Sequence, residues 1–426
     1  MNFSFLRLRL VVDYISASKN EIAVDSFFLS MASVPLRRAV FLPRVPRWIE
    51  YGERFPQLTI LIFKFARVFW LCGGAIIFLS FEYCKNILLC PINIPIKTLD
   101  AIKSGAVLGL SSRVSDVIDR DNCPNPPLVW IRMPWAPQNS VPKNAIEVSI
   151  HSLIKKSELR DVFVNSIIAT YLMTKDPMLS KWVLQSYTAF QWFLVRKAID
   201  KISGTLIMVE HYDRWAVLVD RSIRADLYKQ SPVANRRLVL IQHGILGKDG
   251  EFSNLDEVLP NLFTRLQCVE ELYSYDSFQE EIFLKKILCA KLLRKTGYFS
   301  PSIKLSPVNL TSKISILFVG HPMCEKFQSS LCLILKKKFP LEIYYKPHPQ
   351  SPMSGNMKTI GWTVIDDPLM FPEVDFLISY PSTLVMEYQS KNITAVLHTL
   401  GEPIDQIDRV ADRVEKTILS RNNIID

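Results

Sequence analysis

Residues 315–349 read SILFVGHPMCEKFQSSLCLILKKKFPLEIYYKPHP. Ser315–Val319 is a short apolar run with the length of a buried strand, Glu325–Lys338 reads as a helix, and Glu342–Lys346 as a second strand. The same alternation runs on either side. Strands are expected at Gly204–Glu210, Arg237–Gln242, Glu270–Tyr275, Trp362–Ile365, Asp375–Ser379 and Thr394–Leu397. Helices are expected at Asp213–Lys229, Ser277–Leu293, Ser382–Ser390 and Asp405–Arg421. Short strands alternating with helices signal an α/β architecture built on parallel sheets.

A length of 426 residues implies two or three domains. Apolar residues at 49% and charged residues at 22% exclude wholesale disorder and a collagen-like chain. Only 14 glycines argue against Gly-rich loops as the main functional device. Lys and Arg total 51 against 41 Asp and Glu, a net +10 that suits phosphorylated ligands or anionic lipid and is too diffuse to indicate nucleic acid. The eight cysteines include no C-x-x-C pair, and the first thirty residues offer no secretory cleavage site. A reduced, cytoplasmic protein is the expectation.

The apolar surplus concentrates in residues 55–96, FPQLTILIFKFARVFWLCGGAIIFLSFEYCKNILLCPINIPI. Its longest uncharged run, Val68–Phe81, has 14 residues where a spanning helix needs about 20. Residues 1–67 carry ten basic and five acidic side chains in front of it. Two readings stay open: an interfacial anchor on the inner face of the cytoplasmic membrane, or a buried core helix plus strand. The proline-rich stretch Cys123–Pro142 reads as a poor helix and a poor central strand. It places a linker near residue 140, which divides the chain into an N-terminal region (1–140) and two α/β domains (141–300 and 301–426).

Five of the six histidines (His211, His243, His321, His348 and His398, but not His151) sit within two residues of the end of an expected strand. Ligands of open α/β sheets bind outside the carboxyl ends of the strands. In Tyr344–Pro349, YYKPHP, two prolines fix the backbone on either side of His348, and Lys346 adds a cation. In Asp375–Tyr388, DFLISYPSTLVMEY, Ser382 is a good N-cap beside Thr383, and Glu387 follows one helical turn later. In Leu238–Gly250, LVLIQHGILGKDG, His243 is the best general-base candidate, with Gly244 supplying backbone freedom. Asp366-Asp367 reads as a turn, so no metal site is expected.

His243-Gly244, Thr296-Gly297-Tyr298, Lys346–Pro349 and S-Y-P-S-T-x-x-x-E (Ser379–Glu387) together resemble the GT-B glycosyltransferases of bacterial surface polysaccharide assembly. The nearest groups are the sialyl- and polysialyltransferases, the capsule Kdo transferases and the CDP-glycerol polymerases of teichoic acid synthesis. The resemblance covers roughly residues 200–400 and implies two Rossmann-type domains facing a cleft, behind an extra apolar, helical N-terminal region. It further implies metal-independent transfer from a nucleotide sugar, with a cytidine nucleotide as donor carrier and no separate cofactor. His348 and His321 would meet the donor phosphate with Lys346; Ser382 and Thr383 would hold that phosphate, and Glu387 the ribose. His243 or Asp249 would deprotonate the hydroxyl of a polysaccharide or lipid-linked acceptor. Two departures stand out: Lys248-Asp249-Gly250 lacks one acid of the sialyltransferase pair, and Tyr380-Pro381 replaces the aspartate of the polymerases.

The leading expectation is therefore a glycosyltransferase using a CMP-sugar such as sialic acid or Kdo. The alternatives are a CDP-polyol phosphotransferase, a nonhydrolysing sugar-nucleotide epimerase, and a non-catalytic membrane-attached subunit of a polysaccharide assembly complex.

Overall fold

The computed structural model describes residues 3–31, 56–110, 113–118, 129–135, 145–229, 236–246, 258–299, 303–307, 313–321, 323–348, 353, 355–367, 370–400 and 402–425. It divides into two compact units: Met1–His243 with Ser253–Phe299, and Gly244–Phe252 with Ser300–Asp426.

The first unit contributes helices α1 (Phe3–Met31), α2 (Pro56–Phe69), α3 (Ala75–Leu89), α4 (Leu159–Lys175), α5 (Ala189–Ile199) and α6 (Arg214–Lys229). Its strands are β1 (Gly105–Gly109), β2 (Val129–Arg132), β3 (Ile146–Ser149), β4 (Thr205–Met208), β5 (Arg237–Ile241), β6 (Val269–Ser274) and β7 (Lys295–Tyr298). They form one sheet in the order β3-β2-β1-β4-β5-β6-β7, every neighbouring pair parallel. The order reverses between β1 and β4, which is the topological switch of a doubly wound sheet.

The sheet runs across the boundary expected near residue 140: β1 and β2 precede it and belong to the same sheet as β4, with β1 pairing directly to β4. The prolines of Cys123–Pro142 lie outside the four residues VWIR of β2, so they flank that strand and leave its ladder intact. Close approach at the sheet centre depends on glycine. Gly105 opens β1 at φ 122°, and a Cβ there would lie 2.3 Å from the Thr205 carbonyl oxygen. Gly204 precedes β4 at φ 75°, and a Cβ there would lie 2.5 Å from the Ser104 carbonyl.

α5 is buried nearly all round, including Phe190, Trp192, Phe193, Leu194 and Val195. A helix apolar on every face belongs inside a core, each such side chain contributing roughly 1.5–3 kcal/mol. α1 closes over it, with Tyr14 packing on Trp192 and Phe193 at ring separations of 5.5 and 5.6 Å. The polar tie of α1 is Arg214, only 1% exposed, whose guanidinium donates to both oxygens of Glu21, to Gln185 Oε1 and to the Thr188 hydroxyl. Residues 64–89, across α2, a π turn (Trp70–Gly74) and α3, are long and apolar enough to cross a membrane by length and composition.

The second unit holds β8 (Leu305–Ser306), β9 (Ile314–Val319), α7 (Glu325–Lys338), β10 (Leu341–Lys346), β11 (Thr363–Val364), β12 (Phe371–Pro372), β13 (Phe376–Ser379), α8 (Thr383–Gln389), β14 (Thr394–Leu397) and α9 (Ile407–Ile425). Five strands form a parallel sheet in the order β11-β10-β9-β13-β14, and β8 pairs separately with β12. This is again the Rossmann order 3-2-1-4-5, with its switch between β9 and β13. One face carries Phe318, Leu331, Leu335, Tyr345 and Trp362 against Val410 and Val414 of α9. The chain is thus an α/β protein with two Rossmann-type units and an added N-terminal helical layer.

Gly105→Ala is expected to destabilise the first unit by about 1–3 kcal/mol, because both φ and space exclude a side chain; a thermal melt measures it. A second test concerns Asp25. Its burial, with the Glu21 carboxylate beside it, pushes the carboxyl up to about 7. The folded chain holds a proton that the unfolded chain releases above about pH 4, so this stabilisation falls away as pH rises toward 7. Asp25→Asn should flatten the decline in melting temperature over that window and raise it at pH 8.

Candidate functional site

In the second unit the strand ends nearest the switch gather three rings. His321 follows β9 by two residues, His348 follows β10 by two, and Tyr380 follows β13 directly. The His321 ring lies 5.2 Å from His348 and 5.4 Å from Tyr380, edge to face with each. The bond from Gly320 N–H to the Lys346 carbonyl, 2.8 Å, carries the β9–β10 ladder to the last residue before the histidines. The Met323 N–H donates to His321 Nδ1 at 3.3 Å, so the neutral ring carries its proton on Nε2. Burial, with His348 next to it, pulls the His321 imidazole down to about 4. His321 is therefore a neutral donor near pH 7, suited to a phosphoryl oxygen.

The other expected donor-side residues are placed differently. Lys346 is buried and its ammonium donates to the carbonyls of Asp367 (3.0 Å) and Met370 (2.8 Å), over the Phe371 ring. Burial brings it down to about 8. Its observed work is to pin the segment that leads into β12. Ser382 caps α8 with extended backbone (φ −147°, ψ 158°) and no side-chain capping bond, and its Oγ lies 3.5 Å from that of Ser379. Thr383 is the first residue of α8, and Glu387 lies on its buried side with Val385 and Tyr388. His398 is a core residue: its Nδ1 donates to the Thr399 carbonyl, Nε2 meets the Gln328 amide at 3.1 Å, and Phe327 packs on the ring.

In the first unit His211 and His243 follow the adjacent strands β4 and β5, their rings 4.3 Å apart and tilted by 34°. The His243 N–H donates to His211 Nε2 at 3.0 Å, and the His243 Nδ1–H donates to the Val209 carbonyl. That bond leaves the lone pair of neutral His243 on Nε2, the nitrogen a general base would use. The β5 exit is held by Gln242, which donates to Gln279 at 2.7 Å and accepts from the Tyr275 N–H at 2.9 Å. Gly244 takes φ 72°, the conformation its residue type allows. Asp249 lies outside the described residues. Among the described residues no group of three or more His, Cys, Asp or Glu side chains gathers to hold a metal.

Sequence reasoning passed over His211 and Tyr380, although His211 already belonged to the strand-end set. It also set His151 apart, yet β3 ends at Ser149, two residues before it. All six histidines thus follow parallel strands within three residues. β3 escaped notice because IEVS is four residues long.

A depressed imidazole favours the deprotonated folded state, so the stabilisation associated with His321 is complete above about pH 6.5 and lost as pH falls toward 4. His321→Gln should reduce that acid-side loss in thermal melts of the full chain. The His321 ring resonance should titrate near pH 4 in the free protein and at higher pH once an anion is bound.

No protein-family model matches the chain, and no curated protein matches it. Among solved structures, UDP-N-acetylglucosamine 2-epimerase from Rickettsia bellii is similar over 76% of this chain and 98% of its own, at 10% identity and a TM-score of 0.32.

Proposed function

We propose that the protein is a glycosyltransferase that moves a sugar from a nucleotide-activated donor, with a cytidine nucleotide as the carrier. The observation that carries this reading is the ring cluster of His321, His348 and Tyr380 beside the switch point of a Rossmann-ordered sheet. A donor phosphate there would accept from the Nε2–H of His321 and from His348, with Ser382 and Thr383 at the neighbouring strand exit.

In the proposed reaction the acceptor hydroxyl gives its proton to a general base, the role proposed for His243, and its oxygen bonds to the anomeric carbon. The bond from that carbon to the phosphate oxygen breaks, and the electron pair leaves with the nucleotide. Charge on the departing phosphate is stabilised by the imidazoles of the second unit, as preorganised donors do in a dry site. Lys346 supports this indirectly by holding the carbonyls of Asp367 and Met370.

CMP or CDP should raise the melting temperature of the full chain, and His348→Ala should remove the response, whereas uridine nucleotides should act weakly. Activity with CMP-sugar should fall by about two orders of magnitude in His243→Ala, as loss of a general base does. No thermal response to any pyrimidine nucleotide sinks the reading. A phosphodiester product would move it to a polyol-phosphate transferase, and full function in the histidine variants to a non-catalytic subunit.

A further inference from the structure

A pocket lies wholly within the first unit, at the carboxyl ends of β2 and β3. It is a cavity of about 580 Å³ whose polar lining is Arg132, Ser149, His151 and Ser152 and whose apolar lining includes Leu88 and Leu89. Arg132 ends β2 and pairs with Glu147 of the neighbouring strand. The Ser152 hydroxyl donates to the Ser149 carbonyl at 2.7 Å, which fixes its orientation at the pocket wall. His151 Nε2 is buried and meets no hydrogen-bond partner among the described residues. Burial, followed by the positive charges of Lys85 and Arg132, holds that imidazole down at about 4. The lining thus holds the Arg132 guanidinium and a polar nitrogen without a described partner, groups that an oxyanion would engage.

The apolar wall continues outward. Leu88, in the last turn of α3, is 83% exposed, and the exposed face runs back through Phe81 (65%) and Ile77 to Phe69 and Phe65 (74%). The opposite side of α3 is committed to protein. Leu79, Glu82 and Asn86 are buried, Gln191 donates to Glu82, and the helix packs on α4. On α2 and the π turn, Arg67 and Trp70 bond Ser180 and Ser186. A helix anchored along its length in this way lies flat, since crossing a bilayer would strip Glu82 of Gln191, Arg67 of Ser180 and Trp70 of Ser186. Exposed Lys64 and Lys85 flank the face, and residues 1–67 add a net +5, the charge that an anionic membrane attracts.

We propose that this pocket receives the phosphate head group of a membrane amphiphile while the α2–α3 face lies in the bilayer surface. The chemistry is that of a phosphomonoester at the floor, with an acyl or prenyl chain passing along Leu88 and Leu89. It rests on the transferase reading only in making such an amphiphile the acceptor carrier.

The test is flotation of the full chain, without nucleotide, on phosphatidylcholine vesicles containing about 20 mol % phosphatidic acid or phosphatidylglycerol. Binding to both is expected, with about a tenfold preference for the phosphomonoester. His151→Gln and Arg132→Lys, which keeps a cation for Glu147, should each erase the preference but retain flotation on phosphatidylglycerol. Phe65→Ser combined with Phe81→Ser, both exposed, should abolish flotation on either vesicle with an unchanged melting temperature. Absence of flotation by the unmodified chain overturns the proposal, as does a preference that survives both pocket variants. Inorganic phosphate that shifts the His151 resonance in a protein that does not float would assign the pocket to a soluble phosphate instead. Since no nucleotide enters the assay, these outcomes stand apart from the cytidine test of the donor site.

Discussion

Parallel strand pairing is the constraint from which the chemistry of this chain follows. In a parallel sheet every carboxyl end emerges at the same edge, and each strand must be followed by a crossover before the next can pair. In the second unit that edge brings His321, His348 and Tyr380 together, although 27 residues separate the two histidines and a further 32 the tyrosine. In the first unit it does the same for His211 and His243. Antiparallel hairpins would have sent alternate strand ends to opposite edges and dispersed these rings.

The N-terminal helices are part of this frame. Arg214 opens α6 directly after the β4 exit that carries His211, and a buried guanidinium is tolerated only when its donors are met. Glu21 supplies the countercharge from α1, while Gln185 and Thr188 accept the remaining bonds. Trp192 Nε1 donates to the Arg214 carbonyl at 3.0 Å, so α5 fixes the same turn from below. The charge of one residue thereby couples the 29-residue α1 to the loop next to the histidine pair.

Much of this was legible in the residues. All eight expected strands exist, and the expected helices exist with ends shifted by a few residues, except that Ser277–Leu293 closes by Ile287 through a π turn. What escaped was β1, β2, β3, β7, β8 and β12: β8 and β12 span two residues each, GAVLG is bounded by glycines, VWIR sits within a proline-rich stretch, and IEVS and KTGY mix polar and charged residues into four. Their identity comes from pairing across the chain, with β1 in register with β4 through Val107 and Ile207. At the site, strand-end histidines were readable because strand ends are local. Which of them share a ring contact is set by strand order: His398 has the same local signature as His348 but meets Gln328 and Phe327 in the core.

Charge was the weakest guide. Lys346 has the composition of a phosphate ligand, yet its ammonium serves two carbonyls, and the groups beside the switch point are imidazoles. A fixed cation attracts phosphate before and after transfer alike, which slows departure of the product. A neutral imidazole held near pKa 4 by burial responds instead to charge as it arrives, because a nearby anion raises its proton affinity. In the proposed transfer, stabilisation would then grow with the charge on the leaving oxygen, and stronger binding of the developing charge than of the ground state is what accelerates such a step.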